Sequence, residues 1–294
     1  MRVRFFGTRG SIATPGPETV QYGGNTPCVE VRVGNGRLIF DSGTGIRKLG
    51  LSMMKETRSE GCIFFSHVHW DHIQGLPFFL PAYKEGNRFE LMGAETCGRK
   101  IRKLLSDQME KVYFPVDLSA MRAELRFKDL GDEAIERFGA VIRTVHVNHT
   151  TDTRGFRVEK DGLTIVYLTD NELERCKEDG ATPYDRFVRF AAGADLLIHD
   201  AQYERATLPK YKNWGHSAYE DAVRLALDAG ARRLALYHHD PLTSDSDIDR
   251  RLEWCRAELA ARGSTLDCFA AREEQEVDLG AALPASSSTR PGAS

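Results

Sequence analysis

Residues 64–75 read Phe-Phe-Ser-His-Val-His-Trp-Asp-His-Ile-Gln-Gly and are the most informative stretch of the chain for its fold. An apolar run that favours β-structure ends there in three histidines and one aspartate. His67 and His69 are two residues apart on an extended segment, so their side chains point to one side. Asp71 and His72 follow where the chain turns toward a short helix, so they can reach a second position beside the first. The stretch therefore predicts a metal site with ligands for two neighbouring ions.

The ligand types in this stretch narrow the choice of metal. Neutral imidazole and carboxylate suit Zn, Fe or Mn, and no cysteine lies in the cluster to favour a closed structural zinc site. Two cations that share bridging oxygens typically lie about 3.5–4 Å apart. At that separation one short peptide can supply ligands to both ions. We therefore expect two divalent ions, with zinc as the first choice and manganese or iron as alternatives.

Composition and charge exclude several classes of function. The 294 residues are 41% hydrophobic and 9% aromatic, as in an ordinary globular protein with a sizeable core. The net charge of −3, from 40 basic and 43 acidic residues, makes no global electrostatic case for a nucleic-acid binder. The start of the chain has no long apolar region and no later window approaches about 18 apolar residues. We therefore expect a cytoplasmic protein, with its six scattered cysteines reduced and buried.

Sequence periodicity predicts strands that alternate with helices in both halves of the chain, which suits a two-sheet sandwich. The predicted strands are 2–6, 28–33, 37–40, 62–65, 88–92, 141–147, 155–159, 163–168, 194–198, 234–237 and 266–269. The predicted longer helices are 96–111, one opening near Ser217, and 244–261. Ser217 and Glu220 have the spacing of a capping box at the start of the second of these helices. Residues 284–294 have a composition that cannot build a core and are predicted to be a disordered tail, which leaves 1–283 as one domain.

Further candidate ligands follow predicted strands. They are His149, Asp170 and His238. A hydrolytic site with two ions needs roughly one more histidine for each ion and a carboxylate between them. His146 competes with His149, and His239 competes with His238. Asp41, which ends another strand, is expected close beneath the metals.

The His-x-His-x-Asp-His pattern after a buried strand resembles the signature of the metallo-β-lactamase superfamily of metal-dependent hydrolases. The resemblance extends over about residues 4–270. It implies an α/β fold, an αββα sandwich of two mixed sheets with helices on the outer faces. It also implies the ligands of both metal sites, which would be His67, His69 and His149 for the first, Asp71, His72 and His238 for the second, and Asp170 as the bridge.

A Gly-His-Ser element at 215–217 makes the resemblance nearest to the phosphodiesterase branch, which includes ribonuclease Z and the PhnP-like cyclic phosphodiesterases. In ribonuclease Z-like enzymes this histidine donates a proton, so the resemblance implies that His216 protonates the leaving group. Asp200 is in the acidic position of the family's His-acid-Ala segment and would orient His216. Asp71 is the third expected catalytic residue, and a hydroxide that bridges the metals is the expected attacking group.

The substrate is predicted from a segment that the sequence lacks. Ribonuclease Z usually carries a Gly/Pro-rich arm between the third histidine and the bridging aspartate, whereas here twenty residues, which one hairpin accounts for, separate His149 from Asp170. This favours a small phosphodiester such as a cyclic nucleotide over transfer RNA. An RNA endonuclease like ribonuclease Z, a lactonase or thioesterase of the same fold, and a non-catalytic metal-binding module stay open as alternatives. Apolar loops around Phe78 and Tyr113 would also allow a homodimer.

Overall fold

The computed structural model describes residues 1–175 and 180–280, and within them the chain forms two seven-stranded sheets. The strands are β1 (Arg2–Gly7), β2 (Cys28–Val33), β3 (Gly36–Phe40), β4 (Glu60–Phe64), β5 (Arg88–Gly93), β6 (Glu124–Asp129), β7 (Ile135–Arg137), β8 (Ala140–His146), β9 (Arg154–Lys160), β10 (Leu163–Leu168), β11 (Leu196–Asp200), β12 (Arg233–Tyr237), β13 (Asp267–Ala270) and β14 (Glu276–Asp278). The helices are α1 (Ile46–Met53), α2 (Trp70–Ile73), α3 (Ile101–Asp107), α4 (Tyr184–Ala191), α5 (Tyr219–Asp228) and α6 (Asp245–Ala261).

Each sheet has an antiparallel part and a parallel part. The first sheet has the order β14-β1-β2-β3-β4-β5-β6 and is parallel from β3 to β6. The second has the order β13-β12-β11-β10-β9-β8-β7 and is parallel from β10 to β13. Polar residues that follow the parallel strands therefore collect at the carboxyl edge of each sheet.

The two sheets pack face to face on a core of aromatic and β-branched side chains. In its centre the ring of Phe40 lies 5.5 Å from those of Phe64 and Tyr167 and 5.2 Å from that of Phe156. A second apolar layer lies between the first sheet and helices α1 and α3, and a third between the second sheet and helices α4, α5 and α6. The predicted αββα sandwich of two mixed sheets is thus confirmed.

Two helix predictions were wrong in detail. The helix expected over 96–111 is shorter, because Thr96 and Arg99 bond to each other across a tight turn in which Cys97 and Gly98 have positive φ. The capping box at Ser217 does not form. Helix α5 begins only at Tyr219, and the Ser217 hydroxyl donates instead to the carbonyl of Asn171.

Other expectations have mixed outcomes. Helix α6 begins after Ser244, as predicted, with a capping box formed by Ser244 and Asp247. The cysteines that the structure describes are free, and Cys97 is exposed where a buried side chain was expected. Cys176 and the predicted tail lie outside the described residues. None of the described helices combines the length and apolar character that crossing a bilayer requires.

Candidate metal centre

Residues that follow parallel strands of both sheets converge at one edge of the sandwich. Asp41 follows β3, Asp170 comes shortly after β10, and His238 follows β12. All three have positive φ, at 62°, 51° and 59° respectively. Such conformations are costly for residues other than glycine and concentrate at functional sites. The chain turns sharply at these positions, and the three side chains enter one network.

A first group consists of His67, His69 and His149, whose candidate ligand nitrogens all lie within 4.8 Å of one another. His69 Nδ1 and His149 Nε2 are 3.1 Å apart. The Nδ1 of His149 lies 3.1 Å from the carbonyl oxygen of Gly215. Because that nitrogen must carry a proton to bond a carbonyl, Nε2 is left with the lone pair that a metal needs.

A second group consists of four buried residues, Asp71, His72, Asp170 and His238, again with candidate ligand atoms within 4.8 Å of one another. Asp71 Oδ2 lies 3.3 Å from the Nε2 atoms of both His72 and His238. Asp170 Oδ2 lies 3.2 Å from His72 Nε2 and 3.3 Å from His238 Nε2. Two carboxylates and two imidazoles thus face a common point.

The carboxylate of Asp170 connects the two groups. Its Oδ2 belongs to the second group, whereas its Oδ1 lies 3.9 Å from His67 Nε2 and 3.7 Å from His149 Nε2. One buried side chain therefore presents a different oxygen to each set of imidazoles, as a bridging ligand would.

The donor atoms fit metal ions. The Nε2 atom of His67 is buried and makes no hydrogen bond to any of the described residues, although burying an unpaired polar atom is costly. Burial lowers the pKa of His149 to about 4 and holds the pKa of His67 well below its usual value. Both imidazoles are therefore neutral, as ligands must be, and the nitrogen and oxygen donors suit Zn, Mn or Fe.

Outer partners hold the second group in place. The Asp41 carboxylate accepts a hydrogen bond from His72 Nδ1 at 2.9 Å and one from the Tyr167 hydroxyl at 2.8 Å. Asp41 thus lies where the sequence predicted, directly behind a candidate ligand. Because Tyr167 lies in the second sheet and Asp41 directly follows β3 of the first, this contact also joins the two sheets at the site.

Two further partners escaped the sequence analysis. The backbone N–H of Ser11 donates to Asp71 Oδ2 at 2.8 Å, and the side-chain oxygen of Gln202 lies 2.9 Å from His238 Nδ1. Ser11 belongs to the loop that follows β1. Its contribution is a backbone group, for which residue type carries no signal.

His216 lies beside both groups, with its ring centroid 5.2 Å from that of His149 and 5.1 Å from that of His238. Its Nδ1 is 2.7 Å from Asp200 Oδ2, and Asp200 Oδ1 accepts the backbone N–H of Ser217 at 2.9 Å. Burial opposes a charge on His216, but the Asp200 carboxylate outweighs burial and raises the pKa of His216 to about 9. This imidazole can therefore carry a proton at neutral pH.

The competing histidines lie elsewhere. His146 is half-exposed and faces Asp152 at 3.1 Å, outside the cluster. His239 is buried, its Nε2 donates to the carbonyl of Ala271 at 2.9 Å, and burial lowers its pKa to about 3. Of each pair of alternatives, the structure brings His149 and His238 to the centre.

An open cavity of about 530 Å³ lies over the two groups. Candidate ligands and His216 form its polar wall, and Val68 and Trp70 form its apolar wall. Among the described residues that line it, none is Lys or Arg. The cavity can hold a small molecule against the cluster but offers no cationic side chain of its own.

A sandwich that brings buried histidines and aspartates together at the strand ends of both sheets defines a metal-dependent hydrolase of the metallo-β-lactamase fold. Residues 37–239 match the family model described as Beta-lactamase superfamily domain, and the chain belongs to that family.

Relatives and solved structures agree with this assignment. Ribonuclease Z of Thermoplasma acidophilum is 24% identical over 288 residues, which cover 84% of this chain and 89% of the relative. The metallo-beta-lactamase fold protein YhfI from Bacillus subtilis has a TM-score of 0.68 at 17% identity, over 94% of this chain and 99% of that one. A diphosphatase from the PhnP family has a TM-score of 0.67 at 20% identity, over 94% and 97% respectively. The predicted metallo-β-lactamase superfamily is thus confirmed, and the similarity to ribonuclease Z agrees with the predicted branch.

Proposed function

We propose that the protein is a phosphodiesterase that uses two divalent metal ions, most readily zinc, to hydrolyse a small phosphodiester of the cyclic-nucleotide type. The observation that supports this best is the Asp170 carboxylate, which offers one oxygen to each of two ligand groups while His216 lies beside both. The first ion would be held by His67, His69 and His149, the second by Asp71, His72 and His238, with Asp170 shared.

The chain's own residues divide the chemistry between them. Two ions in this site would supply Lewis acidity, which activates water near neutral pH and stabilises negative charge on the reacting phosphate. Asp71, which lines the cavity, is suited to orient the attacking water. His216 is suited to protonate the leaving alkoxide, because Asp200 holds its Nδ1 and leaves Nε2 as the nitrogen that can donate.

The size of the substrate follows from what surrounds the cavity. Between His149 and Asp170 the chain forms only the β9–β10 hairpin, with no inserted arm that could reach a large RNA. The described lining contains no Lys or Arg to follow a polynucleotide backbone. Both features favour a small diester. The similarity to ribonuclease Z over 84% of the chain supports an RNA endonuclease as the second candidate.

Zinc-loaded protein assayed with a 3′,5′-cyclic nucleotide, a transfer-RNA precursor and a lactone would test the proposal. We expect hydrolysis of the cyclic nucleotide, loss of activity in His67→Ala, and a fall of about 10²-fold or more in His216→Ala, because an alkoxide leaving group needs a proton. His146→Ala is the matched control, since this histidine lies outside the cluster. Cleavage of RNA alone would favour the second candidate, and hydrolysis of the lactone alone would reject both.

A further inference from the structure

Trp70 is 81% exposed although the residues on both sides of it are candidate metal ligands. It is the first residue of α2, and hydrogen bonds from His72 N to His69 O and from Gln74 N to Trp70 O fix the backbone around it. A tryptophan in water forgoes the large burial free energy that aromatic side chains usually contribute to folding. Folding therefore does not explain why a tryptophan occupies this position.

The two other tryptophans are packed differently. Trp214 lies edge-on to Tyr211 at 5.4 Å, and Tyr211 stacks on Tyr203 at 4.3 Å. Trp254 lies edge-on to Tyr219 at 5.4 Å. Across the described chain, Trp70 has no aromatic partner. The residue is largely exposed and lines the cavity over the candidate metal centre.

The cavity needs such a surface to select a substrate. Its polar wall can hold a phosphate through bound metal ions, but no Lys or Arg among the described lining residues adds affinity for the rest of the molecule. Val68 and Trp70 form the apolar part of the wall. A nucleobase gains about 5- to 150-fold in affinity by stacking on an aromatic side chain, and the gain does not depend on which base it is.

We infer that Trp70 is the stacking surface for the base of a nucleoside phosphodiester, whose phosphate lies among the candidate ligands. This inference rests on the proposed function and adds to it the residue that recognises the base, which would favour a nucleotide diester over a simple alkyl diester. In this assignment Trp70 helps to determine which substrate binds, whereas the buried groups carry out the bond cleavage.

Two chromogenic diesters test the inference by kinetics. Thymidine 5′-(4-nitrophenyl phosphate) and methyl 4-nitrophenyl phosphate release the same 4-nitrophenolate and differ in the presence of a nucleoside. We expect Trp70→Ala to lower the ratio of their kcat/KM values about ten-fold or more, chiefly through KM for the thymidine diester. Trp70→Phe should keep most of the ratio, because it keeps a ring. The matched control is Trp254→Ala, because Trp254 is a partly exposed tryptophan on α6.

A binding measurement tests the same contact without turnover. The chain has three tryptophans, so Trp214→Phe combined with Trp254→Phe leaves Trp70 as the only one. Thymidine 5′-monophosphate should quench its fluorescence saturably, whereas ribose 5-phosphate, which has no base, should not.

The outcomes separate this inference from the function on which it rests. If both diesters are hydrolysed and Trp70→Ala leaves their ratio unchanged, Trp70 does not select the substrate and the phosphodiesterase proposal stands. If neither diester is hydrolysed, the phosphodiesterase proposal fails, and the quenching result alone decides whether a base stacks on Trp70. Equal quenching by both ligands, or by neither, would overturn the inference.

Discussion

The two ligand groups of the candidate centre differ in charge and in how firmly they are held. The first consists of three imidazoles, of which His69 is only partly buried and lines the open cavity. The second consists of two imidazoles and two carboxylates, all buried. A group that brings two negative charges into a buried site favours a cation more strongly than three neutral imidazoles do. The two metal positions should therefore differ in affinity.

The outer partners increase this difference. In the second group, Asp41 holds His72, Gln202 holds His238, and the Ser11 N–H holds Asp71. The first group has fewer such partners, namely the carbonyl of Gly215 behind His149 and the Ser66 hydroxyl 3.1 Å from His67 Nδ1. Because such partners set ligand orientation and basicity, the second position should bind its ion first and release it last.

Replacing Asp170 should have the largest effect, because this residue serves both groups. Asp170→Asn keeps the shape of the side chain but removes the charge that the two groups share. We expect diester hydrolysis to fall by more than about 100-fold, the upper range for loss of a partner outside the ligand shell. Bound zinc, measured by mass spectrometry of the metal, should fall as well. Asp161→Asn, an exposed carboxylate, is the control, and a variant at 170 with normal zinc and activity would disprove a shared carboxylate.

Removing one histidine from each group tests the inequality directly. His149→Ala should leave about one zinc ion per chain, retained in the four-residue group through a challenge with a chelator. His238→Ala should weaken the tighter position by about ten-fold or more, which corresponds to about 1.4 kcal/mol. Titration of metal-free protein with zinc would measure both. If His149→Ala released both ions while His238→Ala released only one, the order of affinity would be the reverse of that argued here.

The sequence could point to candidate ligands that the fold brings together, because each of them follows a strand whose apolar pattern is clear, and their role as ligands stays a prediction. Those residue types carry their own chemical signal, as His67 and Asp170 do, and the fold brings them together. Ser217 shows the opposite case, since local spacing indicated a helix cap but the carbonyl of Asn171 takes its hydroxyl. Strand β6 also escaped prediction, because it is an edge strand whose charged residues Glu124 and Arg126 face water. Local sequence does not predict a contact that depends on a distant part of the chain.

Two glycines allow each group to be disturbed separately. A Cβ on Gly215, which has φ of +87°, would lie 2.0 Å from His149 Nδ1, and a Cβ on Gly10 would lie 2.4 Å from the His238 ring. Gly215→Ala should therefore weaken zinc binding in the first group, and Gly10→Ala in the second, each by about 10- to 100-fold. Gly230→Ala has a similar φ of +62° but open space around it, so it separates backbone strain from the clash. Equal losses in Gly215→Ala and Gly230→Ala would assign the effect to strain.

The smallest effect should come from Tyr167→Phe, which removes a hydroxyl that contacts the second group only through Asp41 and His72. Without that hydroxyl, Asp41 loses one of the donors that position it behind His72, so we expect zinc affinity of the second group to fall by up to about ten-fold. Tyr237→Phe is a close control, because that tyrosine is equally buried in the core between the sheets but donates to the carbonyl of Gly7. Both changes should lower the free energy of unfolding by about 1 kcal/mol, since each removes one buried hydrogen bond. Only the change at Tyr167 should alter zinc binding. An equal loss of zinc affinity in both variants would show that the loss comes from general destabilisation of the core and not from the Asp41 contact.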